Sequence, residues 1–406
     1  MGNCYSGAEY DDGNGGTSIN LADDIKEKLK AITFRQNKIN FKSKSEILNE
    51  YKVIKQLGSG LFSRVYLAEN RDGMKVAIKM IKKKNFVTKE TIQKILIEKE
   101  ILKLIDHINV LKLYKTMQTH SRIYFVLELA PKGNLLNVLN IRKRLSVEEI
   151  RVISAQIISA LLYMHSKGII YGDLKAENIL LDDKGIVKLC DFNLSGTKSI
   201  LNETLQGTVC YIAPEIIEGR NRTPKSDFWS LGVLVYLLFF RKYPFKNTNQ
   251  TELFFNIINR NIEMDISSNK APNSFKQFIL SLLTKNPNKR IGNNIQEFVK
   301  HPFFKNFDWT HFYSNPDNFN YILGIPSLDG ERDSFISKSS ENELNTIKET
   351  QTDKFIYNIE DFTYENKNEL IGVTTSKDDK GNMSIPEALG DEDSDDERDD
   401  GEKASN

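Results

Sequence analysis

The sequence predicts an α+β chain made of two lobes, a small sheet-rich one followed by a larger helical one. Strand-like alternation runs over 51–57, 62–68, 74–81 and 123–129, an apolar-periodic helical stretch at 88–105 lies between these strands, and the pattern then turns mostly helical to about 304. A chain of 406 residues is long enough for a sizeable core. Hydrophobic residues make up 39% and charged residues 27%. No run approaches the ~20 apolar positions that a bilayer crossing needs. Cys4, Cys190 and Cys210 are too few and too scattered for a disulfide scaffold or a metal-ligand cluster, which points to a reducing compartment.

The chain divides by composition. Residues 1–19 begin Met1-Gly2-Asn3-Cys4-Tyr5-Ser6, the acceptor pattern for N-myristoylation at Gly2, with Cys4 placed for a palmitate. One acyl chain holds a membrane only marginally, so a second one or a basic surface is needed. Residues 20–50 are basic and would supply that surface through Lys26, Lys28, Lys30, Arg35, Lys38, Lys42 and Lys44; 20–32 has the spacing of an amphipathic helix. These features predict lipid contact at the cytoplasmic side of a membrane, with a cytosolic pool. Residues 51–304 form the dense domain, 305–375 a polar arm with one apolar island at 355–364, and 376–406 an acidic tail expected to be disordered. Residues 391–406 carry nine acidic groups against Arg398 and Lys403, net −7, so the overall +1 leaves +8 on residues 1–390.

Within the dense domain, Leu57-Gly58-Ser59-Gly60 falls between two predicted strands, where glycines let backbone approach phosphates and Val65 would cover an adenine. Val76-Ala77-Ile78-Lys79 follows on the next strand. Lys79 would point at phosphates and Glu98, on the predicted helix, would hold it; Glu100 lies two residues on and faces elsewhere. Tyr171-Gly172-Asp173-Leu174-Lys175-Ala176-Glu177-Asn178 and Asp191-Phe192-Asn193 supply the remaining polar groups. Asp173 would accept a hydroxyl proton, Lys175 would neutralise charge on a transferring phosphoryl group, and Asn178 and Asp191 would bind magnesium on ATP. Asp182 and Asp183 read as solvated turn carboxylates.

Together with Ala213-Pro214-Glu215, Asp227-Phe228-Trp229-Ser230-Leu231-Gly232, Arg290 and His301-Pro302-Phe303-Phe304, these strings resemble a eukaryotic protein kinase catalytic domain over residues 51–304. The resemblance implies the bilobal protein kinase fold, with a small antiparallel-sheet lobe and a large helical lobe, and ATP and Mg2+ as cofactors. It also implies a Glu215–Arg290 pair and an Asp227 brace on the catalytic loop. Glu128-Leu129-Ala130 would be the adenine hinge, with Leu127 as gatekeeper and Ala77 on the adenine wall. Tyr171 before the loop, and the island Ile359-Glu360-Asp361-Phe362-Thr363-Tyr364, are similar to the AGC group. In that group the island wraps back onto the small lobe and holds the helix of Glu98 inward; Ile359 stands where a Phe is usual. Asp191-Phe192-Asn193 together with the myristoylation-like start resembles the YANK branch.

Three departures matter. Gly172 stands where an Arg usually pairs with a phosphate on the activation segment, so phosphorylation at Thr204 is expected to order the loop less. Asn193 replaces a Gly and is expected to tolerate positive φ there and to restrain the segment. Ser63 replaces a third loop glycine. Asn134 and Leu237 stand where acidic residues would select arginine-rich peptides, while Glu177 is kept. The function expected is a serine/threonine protein kinase acting on protein Ser/Thr hydroxyls, with Thr204 and Thr363 as sites for an upstream kinase; the alternative is a pseudokinase scaffold. A small-molecule kinase is disfavoured by the peptide-docking look of 204–232, and nucleic acid by the lack of a basic and aromatic motif. The oligomeric state is not encoded in any pattern found.

Overall fold

The computed structural model describes residues 50–60, 63–85, 89–119, 121–143, 145–196, 209–245, 249–262, 271–309, 312 and 362–366. The small lobe is a sheet of β1 (Tyr51–Ser59), β2 (Ser63–Asn70), β3 (Lys75–Lys82), β4 (Leu113–Gln118) and β5 (Arg122–Leu127), all neighbours antiparallel in the order β1-β2-β3-β5-β4. The β2–β3 turn is closed by Asn70 Oδ1, which accepts from Asp72 N (3.0 Å) and Met74 N (2.8 Å), with Gly73 at φ +81°. Alternation along β3 sorts its residues. Val76, Ile78 and Met80 pack outward with Tyr66, Tyr124 and Val126, while Ala77 and Ile81 join the main core with helix α1 (Lys89–Leu104). β4 escaped the alternation reading because Lys115, Thr116 and Gln118 are polar, yet all are buried.

The large lobe holds α2 (Leu135–Arg142), α3 (Val147–Ser166), the hairpin β6 (Ile179–Leu181) and β7 (Val187–Leu189), then α4 (Pro214–Ile217), α5 (Pro224–Phe240), α6 (Gln250–Asn259), α7 (Asn273–Leu282) and α8 (Ile295–Val299). α3 starts at a capping box in which Ser146 and Glu149 satisfy each other's backbone N–H. α5 begins with Pro224 in its first turn and is buried almost all round. Gly232 on α5 lets α7 approach, since a Cβ there would lie 2.7 Å from Leu283. Arg290, 1% exposed, donates two parallel hydrogen bonds to Glu215 (2.7 and 2.8 Å) and further bonds to the carbonyls of Thr284, Lys225 and Lys285. Phe303 and Phe304 close the lobe against Phe278.

From the arm, β8 (Tyr364–Glu365) adds to the free edge of β4, pairing Tyr364 with Thr116 and Glu365 with Lys115. Phe362 is fully buried, its ring edge-on to Phe125 at 5.5 Å, and Tyr364 lies under the Lys103 ammonium at the end of α1 (5.1 Å). Lys115 is held by both Glu50 (3.0 Å) and Glu365 (3.1 Å). Thr363 faces solvent. Gly2, Cys4, the helix expected at 20–32, Thr204, Ile359 and the tail from 376 lie outside the described residues. Among the described residues no helix is long and apolar enough to cross a membrane.

Candidate active site

Sheet register lines up one half of the site. Gly58 is opposite Val65, Val65 opposite Lys79, Lys79 opposite Phe125, and Phe125 opposite Thr116, whose other neighbour is Tyr364 of the arm. One row thus runs from the glycine turn to the docked arm. The turn is closed by Gly60 N to Ser63 O (2.8 Å), no atom of the described residues lies within 4 Å of a Cβ built on Gly58, and Leu57 is exposed. Ala77 opposes Leu127, and both are buried. The Glu128 side chain does not face a ligand. Its carboxylate takes Lys188 Nζ at 2.7 Å and Lys112 N at 3.2 Å, and its own N–H goes to Lys112 O, so any adenine contact from residues 128–130 is left to other backbone groups.

Lys79 Nζ lies 2.7 Å from Glu98 Oε1 and 3.5 Å from Asp191 Oδ1, and 5.9 Å from the centre of the Phe125 ring. Burial opposes charge on both Lys79 and Glu98. Glu98 and Asp191 nevertheless keep Lys79 an ammonium, above the usual lysine range, while burial leaves Glu98 above the ordinary carboxylate range despite Lys79. Glu100 turns to Lys99 (2.8 Å) and Lys103 (3.3 Å), on another side of the helix.

The other half sits on the loop before β6. Asp173 Oδ2 accepts from Lys175 Nζ (2.6 Å) and Asn178 Nδ2 (2.8 Å). Burial pushes Asp173 above the ordinary carboxylate range, against those two donors, with Asp191 adding to the rise. Asn178 Nδ2 also reaches Asp173 O (3.0 Å), which leaves the Asn178 amide oxygen as its free acceptor type for a cation. Asn178 and Asp191 flank the paired ends of β6 and β7, joined by Cys190 N to Asn178 O at 3.0 Å. An amide oxygen and a carboxylate side by side, with Lys79 beyond, fit magnesium carried on phosphates. Asp227 braces the loop, accepting from Tyr171 N (3.0 Å) and Gly172 N (2.8 Å) and pairing with His165 (2.7 Å).

Several expectations are corrected. Positive φ falls on Asp191 (+61°), not on Asn193, whose side-chain amide instead donates to Asp191 Oδ1. Asp182 is buried rather than solvated, because it caps its turn by accepting from Lys184 N (3.0 Å) and Ile186 N (2.7 Å). The reading at Asn134 and Leu237 is unchanged: Asn134 caps α2 by accepting from Asn137 N, and Leu237 is buried. Glu177 Oε2 is buried without a hydrogen-bond partner among the described residues. Two contributors escaped the sequence reading, Phe125 beneath Lys79 and Arg222, which donates to Gly172 O (2.8 Å). Phe125 carried only an apolar signal, and no short motif contains Arg222.

The two lobes thus bring Lys79, Glu98, Asp173, Asn178 and Asp191 into one neighbourhood. The model of the protein kinase domain matches residues 51–304. Among curated proteins, the chain is 36% identical over 274 residues to protein kinase C epsilon type of Oryctolagus cuniculus, covering 64% of this chain and 36% of that one. It is 33% identical over 274 residues to the RAC serine/threonine-protein kinase of Drosophila melanogaster, covering 66% and 44%. With protein kinase 3 of Dictyostelium discoideum it shares 32% identity over 290 residues, covering 67% and 32%. The chain therefore belongs to the protein kinase family, with a catalytic domain homologous to AGC kinases of the protein kinase C type. It spans less than half the length of each of these relatives.

Proposed function

We propose that the chain is a serine/threonine protein kinase that transfers the γ-phosphate of ATP to protein hydroxyls beside a membrane. The observation that carries this reading is Lys79 bridging Glu98 (2.7 Å) and Asp191 (3.5 Å), because it joins the small lobe to the cation-binding carboxylate of the large lobe. Lys79 orients the phosphates. Asp173, with its raised affinity for protons, receives the hydroxyl proton, and Lys175 offsets negative charge as the phosphoryl group moves. Asn178 and Asp191 would hold magnesium, which when bound neutralises phosphate charge and aligns the leaving group.

Glu177 is the acidic residue offered to a basic peptide residue, so selection for several arginines is weak. Gly2 and Cys4 carry the lipids, the basic residues of 20–50 add attraction to anionic membrane, and Thr204 and Thr363 receive phosphate from an upstream kinase. The pseudokinase reading draws on the Asn193 amide bonded to Asp191 Oδ1. That contact engages one carboxylate oxygen, and the Asp191 side chain remains 39% exposed.

The test is phosphoryl transfer by the full chain with magnesium-ATP and a mixed Ser, Thr and Tyr peptide library, against Asp173→Asn prepared alongside. The expected result is transfer to Ser and Thr that falls at least about a hundredfold in the variant. Equal signals from the two proteins would support the scaffold reading.

A further inference from the structure

Gly172 occupies a backbone conformation with φ +82°, and a Cβ built on it would stand 2.5 Å from Leu194 O and 3.0 Å from Arg222 Nη1. The space around this residue is therefore taken, and a guanidinium is one of the groups that takes it. Arg222 belongs to the segment between α4 and α5. It is 7% exposed, and Nη1 donates to the Gly172 carbonyl at 2.8 Å. Five residues on, in the first turn of α5, Asp227 accepts the N–H groups of Tyr171 and Gly172. Gly172 is thus gripped from both ends, N–H by a carboxylate and C=O by a guanidinium, and that carbonyl belongs to the peptide bond leading into Asp173.

We infer that Arg222 is a positioning residue for Asp173, supplying from the α4–α5 segment the cation that Gly172 cannot carry on the catalytic loop itself. The inference rests on the kinase reading of the site. Arg222 and Asp173 line the same small cleft with Gly172, Tyr211 and Asp227. Burial disfavours the charge of the guanidinium, and Asp227 and Asp173 offset part of that cost. A charge-assisted bond to a buried carbonyl is stronger and more directional than a neutral one, so it can fix the plane of the 172–173 peptide. The same geometry accounts for glycine at 172. With Arg222 and Leu194 O in place, a side chain there meets backbone on one side and the guanidinium on the other.

The test uses the full chain and two substitutions that differ in charge. Arg222→Gln keeps a donor of shorter reach and loses the cation; Arg222→Lys keeps the cation and loses the planar fork. With a thermal midpoint close to the parent, Arg222→Gln is expected to lose about tenfold in kcat, the size of one charge-assisted bond, with KM for ATP within about twofold. Arg222→Lys is expected to recover most of that loss. A kcat for Arg222→Gln within about twofold of the parent overturns the inference, as does a loss that appears in KM for ATP alone. Failure of both variants to fold also overturns it, because Arg222 would then be a folding residue. Parent and Asp173→Asn run in parallel separate this from the kinase reading itself: equal transfer by those two sinks that reading, whereas an active parent matched by Arg222→Gln sinks only the role of Arg222.

Discussion

The catalytic loop and the Lys79–Glu98 pair are both buried polar arrangements, but different parts of the chain hold them. Around Asp173 the bracing groups are Asp227, His165 and Arg222, all within the large lobe and anchored on α3, α5 and the segment before α5. Below them the buried Glu215–Arg290 bridge ties the start of α4 to the region after α7. Lys79, which holds Glu98, instead rests on a row of side chains that ends in the arm, with Phe125 under Lys79 and Phe362 against Phe125. The Phe362 carbonyl also takes the Thr116 hydroxyl, 246 residues away in sequence. A loop braced by its own lobe is assembled whenever that lobe is folded. A pair that leans on a distant two-residue strand is expected to loosen when the arm leaves, a dependence that Phe362→Ala tests.

Breaking the large-lobe brace should have the largest effect. Glu215→Ala leaves the Arg290 guanidinium buried without its carboxylate, a change worth about 3–5 kcal/mol, and should lower the denaturation midpoint steeply and abolish transfer at physiological temperature. Equal midpoints would show that the bridge is not what holds this lobe. Phe362→Ala removes the ring beneath the small lobe. It should leave most of the global stability in place and reduce kcat/KM for ATP by about tenfold, since only the arm and α1 loosen. An unchanged kcat/KM would break the link between the arm and Lys79.

Asn193→Gly sharpens the comparison at the seam between the halves. If Asp191 holds magnesium as proposed, the Asn193 amide would compete with it for Oδ1, so the magnesium needed for half-maximal transfer should drop by a few-fold, the scale of about 1 kcal/mol for one such bond. A higher magnesium requirement would mean that Asn193 instead presents Asp191 to the metal. The smallest effect is expected at Lys83, fully buried beside Gln118 (3.0 Å), where burial lowers the ammonium to about 8. Because the unfolded chain binds that proton more tightly, charging Lys83 costs stability below pH 8, and the cost fades as pH rises toward the ordinary lysine value. Lys83→Met should therefore melt higher than the parent at pH 7, and the gap should narrow between pH 8 and 10. A gap that is constant with pH would argue against titration of Lys83.

Much of the site was legible because its chemistry needs fixed residue types in short strings. Lys79, Asp173, Asn178 and Asp191 each sit in such a string, and the alternating pattern located β1, β2, β3 and β5. What failed was decided by distant neighbours. β4 is polar in sequence and buried in the fold because Glu50 and Glu365 satisfy Lys115 while the Phe362 carbonyl takes the Thr116 hydroxyl. Asp182 is a turn carboxylate whose type alone suggests solvation, whereas the fold turns it onto the amides of Lys184 and Ile186. Positive φ at Asp191 rather than Asn193 reflects how the chain leaves β7, and no residue preference marks it, since Asn and Asp both tolerate that region. Arg222 was invisible for the same reason as Phe125, because each acts on a group brought near only by folding.

The most direct test of the two-part account is amide hydrogen exchange of the full chain and Phe362→Ala, followed in peptides from α1 and from residues 171–178. The account predicts faster exchange in α1 when Phe362 is lost and unchanged protection of 171–178, where Asp227 holds the Tyr171 and Gly172 amides. Loss of protection in both segments together, or in neither, would contradict it.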